Sequence, residues 1–213
     1  MVKILGDSTK AQLEDITARI GDCRICLECP QKHPLPHEPR PVLRLSSTAR
    51  LCIAGQAPGT RVHNSGIPFD DPSGDRLRAW MGIDKQVFYD QSRLAIVPMG
   101  FCFPGLDTQG GDLPPRRECA PEWRADIFKL LPQIELILVI GQYAQKWHLG
   151  SYRKKSLTDT VRNWQNCVNR EVRPRCLPLP HPSWRNTGWL KKNPWFETEV
   201  LPYLKKEVGR LTC

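Results

Sequence analysis

The sharpest chemical feature of this sequence is Cys23-Arg-Ile-Cys26-Leu-Glu-Cys29, three thiols at two-residue spacing in a chain that holds nine cysteines. Such spacing suits metal ligation, and in a reducing compartment a disulfide framework is not expected. Residues 55–74, GQAPGTRVHNSGIPFDDPSG, form a second feature. Gly55 and Gly59 let backbone approach a ligand closely, Pro58 stiffens the turn, and free N–H groups there can meet a phosphate or a carbonyl. Phe69 offers a face on which a base can stack, unless it is core. Asp70 and Asp71 can orient or deprotonate a water, or simply favour the start of the helix that follows. A third feature is His181-Pro182-Ser183. A histidine held between prolines can stabilise charge on a leaving group, and Ser183 can hold a phosphate. Trp184, Arg185, Asn186, Trp189, Lys191 and Lys192 then mix aromatic and basic groups, as binding to a deformed nucleic-acid strand requires.

Charge supports the same partner. Lys and Arg number 31 against 22 acidic residues, and a net charge of +9 favours a polyanion. No apolar run approaches the roughly 20 residues of a membrane span. The opening MVKILGDSTKAQLEDI lacks the apolar core of a signal peptide, so a cytoplasmic location is expected. At 213 residues and 40% hydrophobic content, one compact domain over 1–213 is expected.

Those residues need a frame. Residues 8–21 read as a short amphipathic helix capped by Ser8 or Thr9, and residues up to 42, rich in Pro and His, read as an extended wrap. Four apolar runs, RLCIAG (50–55), RLAIVPMG (93–100), IELILVIG (134–141) and RCLPLP (175–180), read as strands. The first three lack polar alternation, as parallel strands buried on both faces do. Helical stretches alternate with them: SGDRLRAWMG with Ser73 as cap, PPRRECAPEWRADIFKLLP opened by its prolines, and GQYAQKWHLG. A last helix is expected over about 194–208, capped by Asn193 and interrupted at Pro202. The alternation predicts an α/β fold, a sandwich around a short parallel sheet, and ligands then sit beyond the carboxyl ends of the strands. The three unusual loops lie there.

Together, GQAPG after the first strand, GIPF with SG and a helix behind it, and HPS after the last strand resemble the three-part signature of the uracil-DNA glycosylase superfamily. The resemblance spans roughly residues 20–205 and implies that family's three-layer α/β/α sandwich. It is nearest the iron–sulfur branch, family 4, in which two N-terminal cysteines join two that flank a loop after the second strand. Cys23 and Cys26 match the first pair, and Cys102 and Cys119, with sixteen residues between them, match the second. Residues 1–42 would then be an N-terminal helix and metal-binding wrap. The implied cofactor is a [4Fe–4S] cluster, with zinc as the competitor and Cys29 able to replace one member of its pair.

The resemblance implies a monofunctional, monomeric DNA glycosylase of base excision repair, which hydrolyses the N-glycosidic bond of a flipped, damaged or deaminated base. Phe69 matches the stacking ring, the backbone of Gln56 and Ala57 would read base carbonyls, and His181 matches the histidine that stabilises the departing base. The water-positioning group is expected to be Asp71, with His63 second. Where family 4 has an acid and an asparagine, this chain has Gln56 and Pro98, which leaves open the excised base. It also leaves open a non-catalytic, cluster-bearing module that recognises lesions or single strands.

Overall fold

The computed structural model describes residues 2–213, with side chains from Ser8 onward. All four expected strands form: β1 (Leu51–Ala54), β2 (Leu94–Ile96), β3 (Leu136–Ile140) and β4 (Arg175–Leu179). They pair in parallel in the order β2-β1-β3-β4, with Ile53 opposite Ile96 on one side and Leu138 on the other. Because side chains alternate across a strand, Leu51, Ile53, Leu136 and Leu138 face one layer of helices, while Cys52, Ala54, Ile137 and Val139 face the other. Both faces are dry, which is why the runs carry no polar alternation.

The helices number, in chain order, α1 (Val2–Gly21), α2 (Ile25–Glu28), α3 (Thr60–Ser65), α4 (Pro72–Met81), α5 (Lys85–Tyr89), α6 (Cys119–Lys129), α7 (Gly141–Leu149), α8 (Leu157–Arg162), α9 (Trp164–Val168), α10 (Thr187–Lys192) and α11 (Leu201–Thr212). Leu13, Ile16 and Ile20 of α1 pack with Trp123 and Ile127 of α6 and Ala144 of α7 on one face. On the other, Leu77 and Trp80 of α4 meet Phe88 of α5 and Leu204 and Val208 of α11. The result is the expected three-layer α/β/α sandwich with a short central parallel sheet. Among the described residues no helix is long and apolar enough to cross a membrane.

Four boundaries differ from expectation. Helix α1 begins at Val2, so Ser8 and Thr9 lie inside it rather than cap it. Asp71, not Ser73, caps α4: its Oδ1 accepts the Gly74 N–H at 2.7 Å, and Pro72 takes the first helical position, where its missing N–H costs nothing. Helix α6 starts at Cys119, because the prolines at 114 and 115 belong to the preceding loop. Pro202 does not interrupt the last helix. It sits in the first turn of α11, directly after a π-helical stretch, Phe196–Val200, whose wider turn seats Phe196 and Val200 in the core. Asn193 does not cap it either; it donates to the Trp189 carbonyl and accepts from the Trp195 indole.

Residues 30–42 form the expected wrap, stitched down by backbone bonds from Leu35 N–H to the Cys26 carbonyl and from Val42 N–H to the Phe101 carbonyl. It crosses the loop that follows β2.

Candidate active site

At the carboxyl ends of the strands lies a cavity of about 390 Å³. The sheet order reverses between β1 and β3, and a crevice opens at such a point. The first loop supplies Gly55, Gln56, Ala57, Pro58 and Gly59, and Phe69, Asp71, Pro98, His181, Ser183 and Arg185 complete much of the wall. The three expected segments therefore meet around one space.

The first loop is held by its carbonyls. Those of Gly55 and Gln56 accept the N–H groups of Met99 and Gly100, continuing the β1–β2 pairing past the strand ends. Among the described residues the N–H groups of Gln56 and Ala57 have no protein acceptor, so they remain free for a ligand. The Gln56 side chain is committed, donating to the Leu113 carbonyl at 3.1 Å.

Phe69 has a positive φ of 57°, a left-handed conformation that costs a bulky residue about 1–3 kcal/mol. Three groups hold it there. Its carbonyl accepts from Arg78 Nη1 and Tyr89 Oη, each at 3.3 Å, and a Cβ on Gly74 would stand only 1.8 Å from the same oxygen. The ring meets Phe88 edge-on at 5.9 Å and reaches over Gly55, with 3.6 Å between the ring tip and the position of an added Cβ. It is half-buried, one face in the cavity and the other on the core.

His181 Nδ1 accepts the Ser183 backbone N–H at 3.2 Å, so the neutral ring carries its proton on Nε2 as a donor. Burial pushes its pKa below 6.5, and the opposing pull of Asp71 is weaker. The loop beneath is anchored from two sides: Asn186 donates to the His181 carbonyl at 2.7 Å, and Arg76 Nη1 donates to the Ser183 carbonyl at 2.9 Å.

Not every expected residue reaches the cavity. His63 does not line it; one residue further along α3 than the lining Val62, it turns to pack at a tilt against His37, with ring centroids 4.2 Å apart, and against Phe103. Burial there, then His37 and Arg40, lowers its pKa. Lys191 and Lys192 are exposed on α10 and away from the cavity, and Asn186 spends its amide on the loop itself. Of the three tryptophans in this region only Trp184, 71% exposed, stands open at the cavity wall, whereas Trp189 bonds Thr158 and packs on Trp195 and Phe196. Asp112 was not among the expected residues. It lines the cavity from the loop after β2, a placement no local motif announces.

Cys23, Cys26, Cys102 and Cys119 line a second, apolar cavity beneath the wrap, with Phe101, Arg116 and Glu118. Cys29 is exposed and outside it. Burial pushes up the thiols of Cys26, Cys102 and Cys119, that of Cys102 to about 12. Such thiols stay protonated unless positive charge is placed among them. Among the described residues no three His, Cys, Asp or Glu side chains converge closely enough for a single ion. Arg124 runs nearby, wholly buried, donating to the Val97 and Pro98 carbonyls at 2.8 and 2.6 Å and contacting His148. Burial brings its pKa down to about 10, and ionised Cys52 and Cys119 would pull it back up.

The sequence profile of the uracil DNA glycosylase superfamily matches residues 44–205. A solution NMR structure of a candidate uracil DNA glycosylase from Methanosarcina acetivorans aligns with a TM-score of 0.44 at 15% identity, covering 78% of this chain and 96% of the other.

Two predictions follow from this geometry. Gly74→Ala drives a methyl into the Phe69 carbonyl and is expected to cost about 1–3 kcal/mol in urea unfolding, and to displace the Phe69 ring. Burial also depresses the pKa values of His63, His148 and His181 below 6.5, so the unfolded chain binds their protons first. Their contribution to stability is complete above 6.5 and is lost as pH falls toward the folded values. Urea unfolding is expected to show declining stability over that window, with less decline in His148→Asn.

Proposed function

The chain belongs to the uracil DNA glycosylase superfamily, which makes its function of the DNA glycosylase type, and we propose that it hydrolyses the N-glycosidic bond of a deaminated base extruded from DNA. In this reading residues 1–213 act as one monomeric domain and as a monofunctional enzyme of base excision repair. The observation that carries it is a single cavity combining a stacking ring, two unpaired backbone N–H donors and a neutral imidazole.

Each group has a task. Phe69 stacks on the base, which offsets part of the cost of unpairing it. The N–H groups of Gln56 and Ala57 donate to base carbonyls, and Pro58 and Gly59 shape the turn. As the bond to the sugar breaks, negative charge grows on the base, and Nε2–H of His181 points a donor at it. The lowered pKa keeps the ring neutral, and the N–H of a neutral imidazole is too weak an acid to be given up, so it stabilises the anionic leaving group by a hydrogen bond and not by transferring a proton. Asp71 holds the water with the oxygen not used by the helix cap. Ser183, Arg185 and the exposed Trp184 meet the strand around the extruded nucleotide, Arg185 against phosphate and Trp184 in the gap. Lys191 and Lys192 serve as more distant phosphate contacts.

For the cysteine site we propose the family 4 arrangement, with Cys23, Cys26, Cys102 and Cys119 holding a [4Fe–4S] cluster. Four thiols line one apolar cavity, a donor set that suits the soft irons of such a cluster and would also serve zinc as a tetrahedral site. The buried Arg124 cation would offset the negative charge of the thiolates. The cluster would supply a tie between the wrap and the loop after β2.

Pro98 in the cavity wall offers a base no side-chain donor, and this favours the second reading, a module that binds lesions without cutting. Oligonucleotides carrying single uracil, hypoxanthine or xanthine lesions separate the two. Release of free base is expected from at least one, with a loss of about 10²–10³-fold in His181→Ala; no release from any lesion rejects the glycosylase reading. Aerobically stable brown protein, with iron and sulfide lost together in Cys102→Ser, is expected for the cluster, and zinc in place of iron refutes it.

A further inference from the structure

The cavity holds a carboxylate that no motif accounts for. Asp112 sits on the arm between Cys102 and Cys119, and the arm has a defined shape. Leu106 and Asp112 form an antiparallel bridge, Leu113 N–H bonds the Gly105 carbonyl, and the Asp107 carboxylate accepts the N–H groups of Gln109 and Gly111. The closed arm leans on the first loop at two adjacent points. Gln56 donates to the Leu113 carbonyl, and Asp112 Oδ2 lies 3.3 Å from where a Cβ on Gly59 would stand. A side chain at 59 would press on the carboxylate, which would have to give by a few tenths of an ångström.

Asp112 differs from Asp71 in what its oxygens do. Asp71 commits Oδ1 to the Gly74 N–H, whereas the Asp112 carboxylate has no hydrogen bond or ion pair among the described residues, although it lines the cavity. Because the residue is exposed at the cavity mouth, its free carboxylate is open both to water and to a substrate seated in the cavity. Three charged groups face it: Arg185 from the loop after β4, Asp71 at the cap of α4, and Asp107 on its own arm. Asp112 is exposed as a residue, standing at the mouth of the cavity, and the partial loss of water around its carboxylate there raises its pKa most; Arg185 opposes this and the two aspartates add to it. A raised pKa makes the ionised form a stronger base.

We propose that Asp112 is a second catalytic carboxylate of this cavity, the base that takes the proton of the attacking water while Asp71 holds that water in place. The proposal rests on the glycosylase reading. The bond between sugar carbon and base nitrogen breaks with its electron pair leaving on the base. The water oxygen bonds the sugar carbon, and one water proton passes to the Asp112 carboxylate. The base departs as an anion held by Nε2–H of His181, and the proton on Asp112 returns to solvent.

Single-turnover base release, measured across pH with the full-length protein, tests it. Asp112→Asn is expected to slow release by about 10²–10⁴-fold and to remove the acid limb of the rate–pH profile, with DNA affinity and thermal unfolding unchanged. Gly59→Ala, which presses on the carboxylate without removing it, is expected to slow release less and to keep the acid limb. Wild-type release that persists in Asp112→Asn, or a slow variant with an unaltered pH profile, overturns the proposal and leaves the glycosylase reading intact. No release by the wild-type protein from any lesion overturns both.

Discussion

The close approach of Gly74 to the Phe69 carbonyl is the constraint on which the site depends. Without a side chain at 74, the first turn of α4 can pass directly behind the Phe69 backbone and hold it in a conformation that residue would otherwise avoid. Two consequences follow from the one contact. Phe69 turns its ring over Gly55 and into the cavity, and Asp71, two residues on, is placed to cap α4 through the same glycine's N–H. The SG pair that marks the start of this helix is thus a geometric device: it sets the stacking ring and a carboxylate at a fixed separation. Arg78 and Tyr89 complete it, since their bonds to the Phe69 carbonyl replace those the strained backbone cannot make within a regular element.

Much of this was legible in the sequence, and the failures have physical causes. Apolar runs identified all four strands, and the first three carry no polar alternation because a parallel sheet covered on both sides leaves no polar face. The three loops could be placed at one end of the sheet because parallel strands put all their carboxyl ends there. His63 was misplaced by local reasoning: one residue from the lining Val62 on a helical turn is a rotation of about 100°, enough to face it toward His37 instead. Ser73 and Asp71 compete as caps in any reading of DDPSG, and Pro72 decides it, since proline fits the first helical position and so leaves the residue before it as the cap. Asp112 was illegible because its place is fixed by contacts with residues more than fifty positions earlier, Gln56 and Gly59, which carry no signal of their own near position 112.

The two cavities are connected through the loop after β2. Its first residues, from Val97 to Phe101, line the cavity at the strand ends at Pro98 and the thiol cavity at Phe101, and Arg124 ties the Val97 and Pro98 carbonyls to the helix that Cys119 begins. The arm bearing Asp112 leaves from Cys102 and returns to Cys119. Whatever charge the thiol site holds, it therefore fixes both ends of the arm that carries the carboxylate, while the wrap pins the same loop from outside through Val42. Positioning by such ties, rather than proximity to reacting atoms, is the contribution the thiol site can make to the chemistry.

On the glycosylase reading, the charges in the wall of the first cavity bear on the order of events. A neutral donor at His181 does little for an uncharged base and much for one that has begun to leave, so its stabilisation grows along the reaction. In the same reading the Asp71 and Asp112 carboxylates would act in the complementary sense, favouring positive charge on the sugar. Asp71, Asp112 and the imidazole share the wall of one cavity, and in the proposed reaction the carboxylates would act on the sugar end of the bond and the imidazole on the base end. On the glycosylase reading, groups of these charges would favour bond cleavage running ahead of water attack, with the sugar carrying positive charge when the water oxygen reaches it.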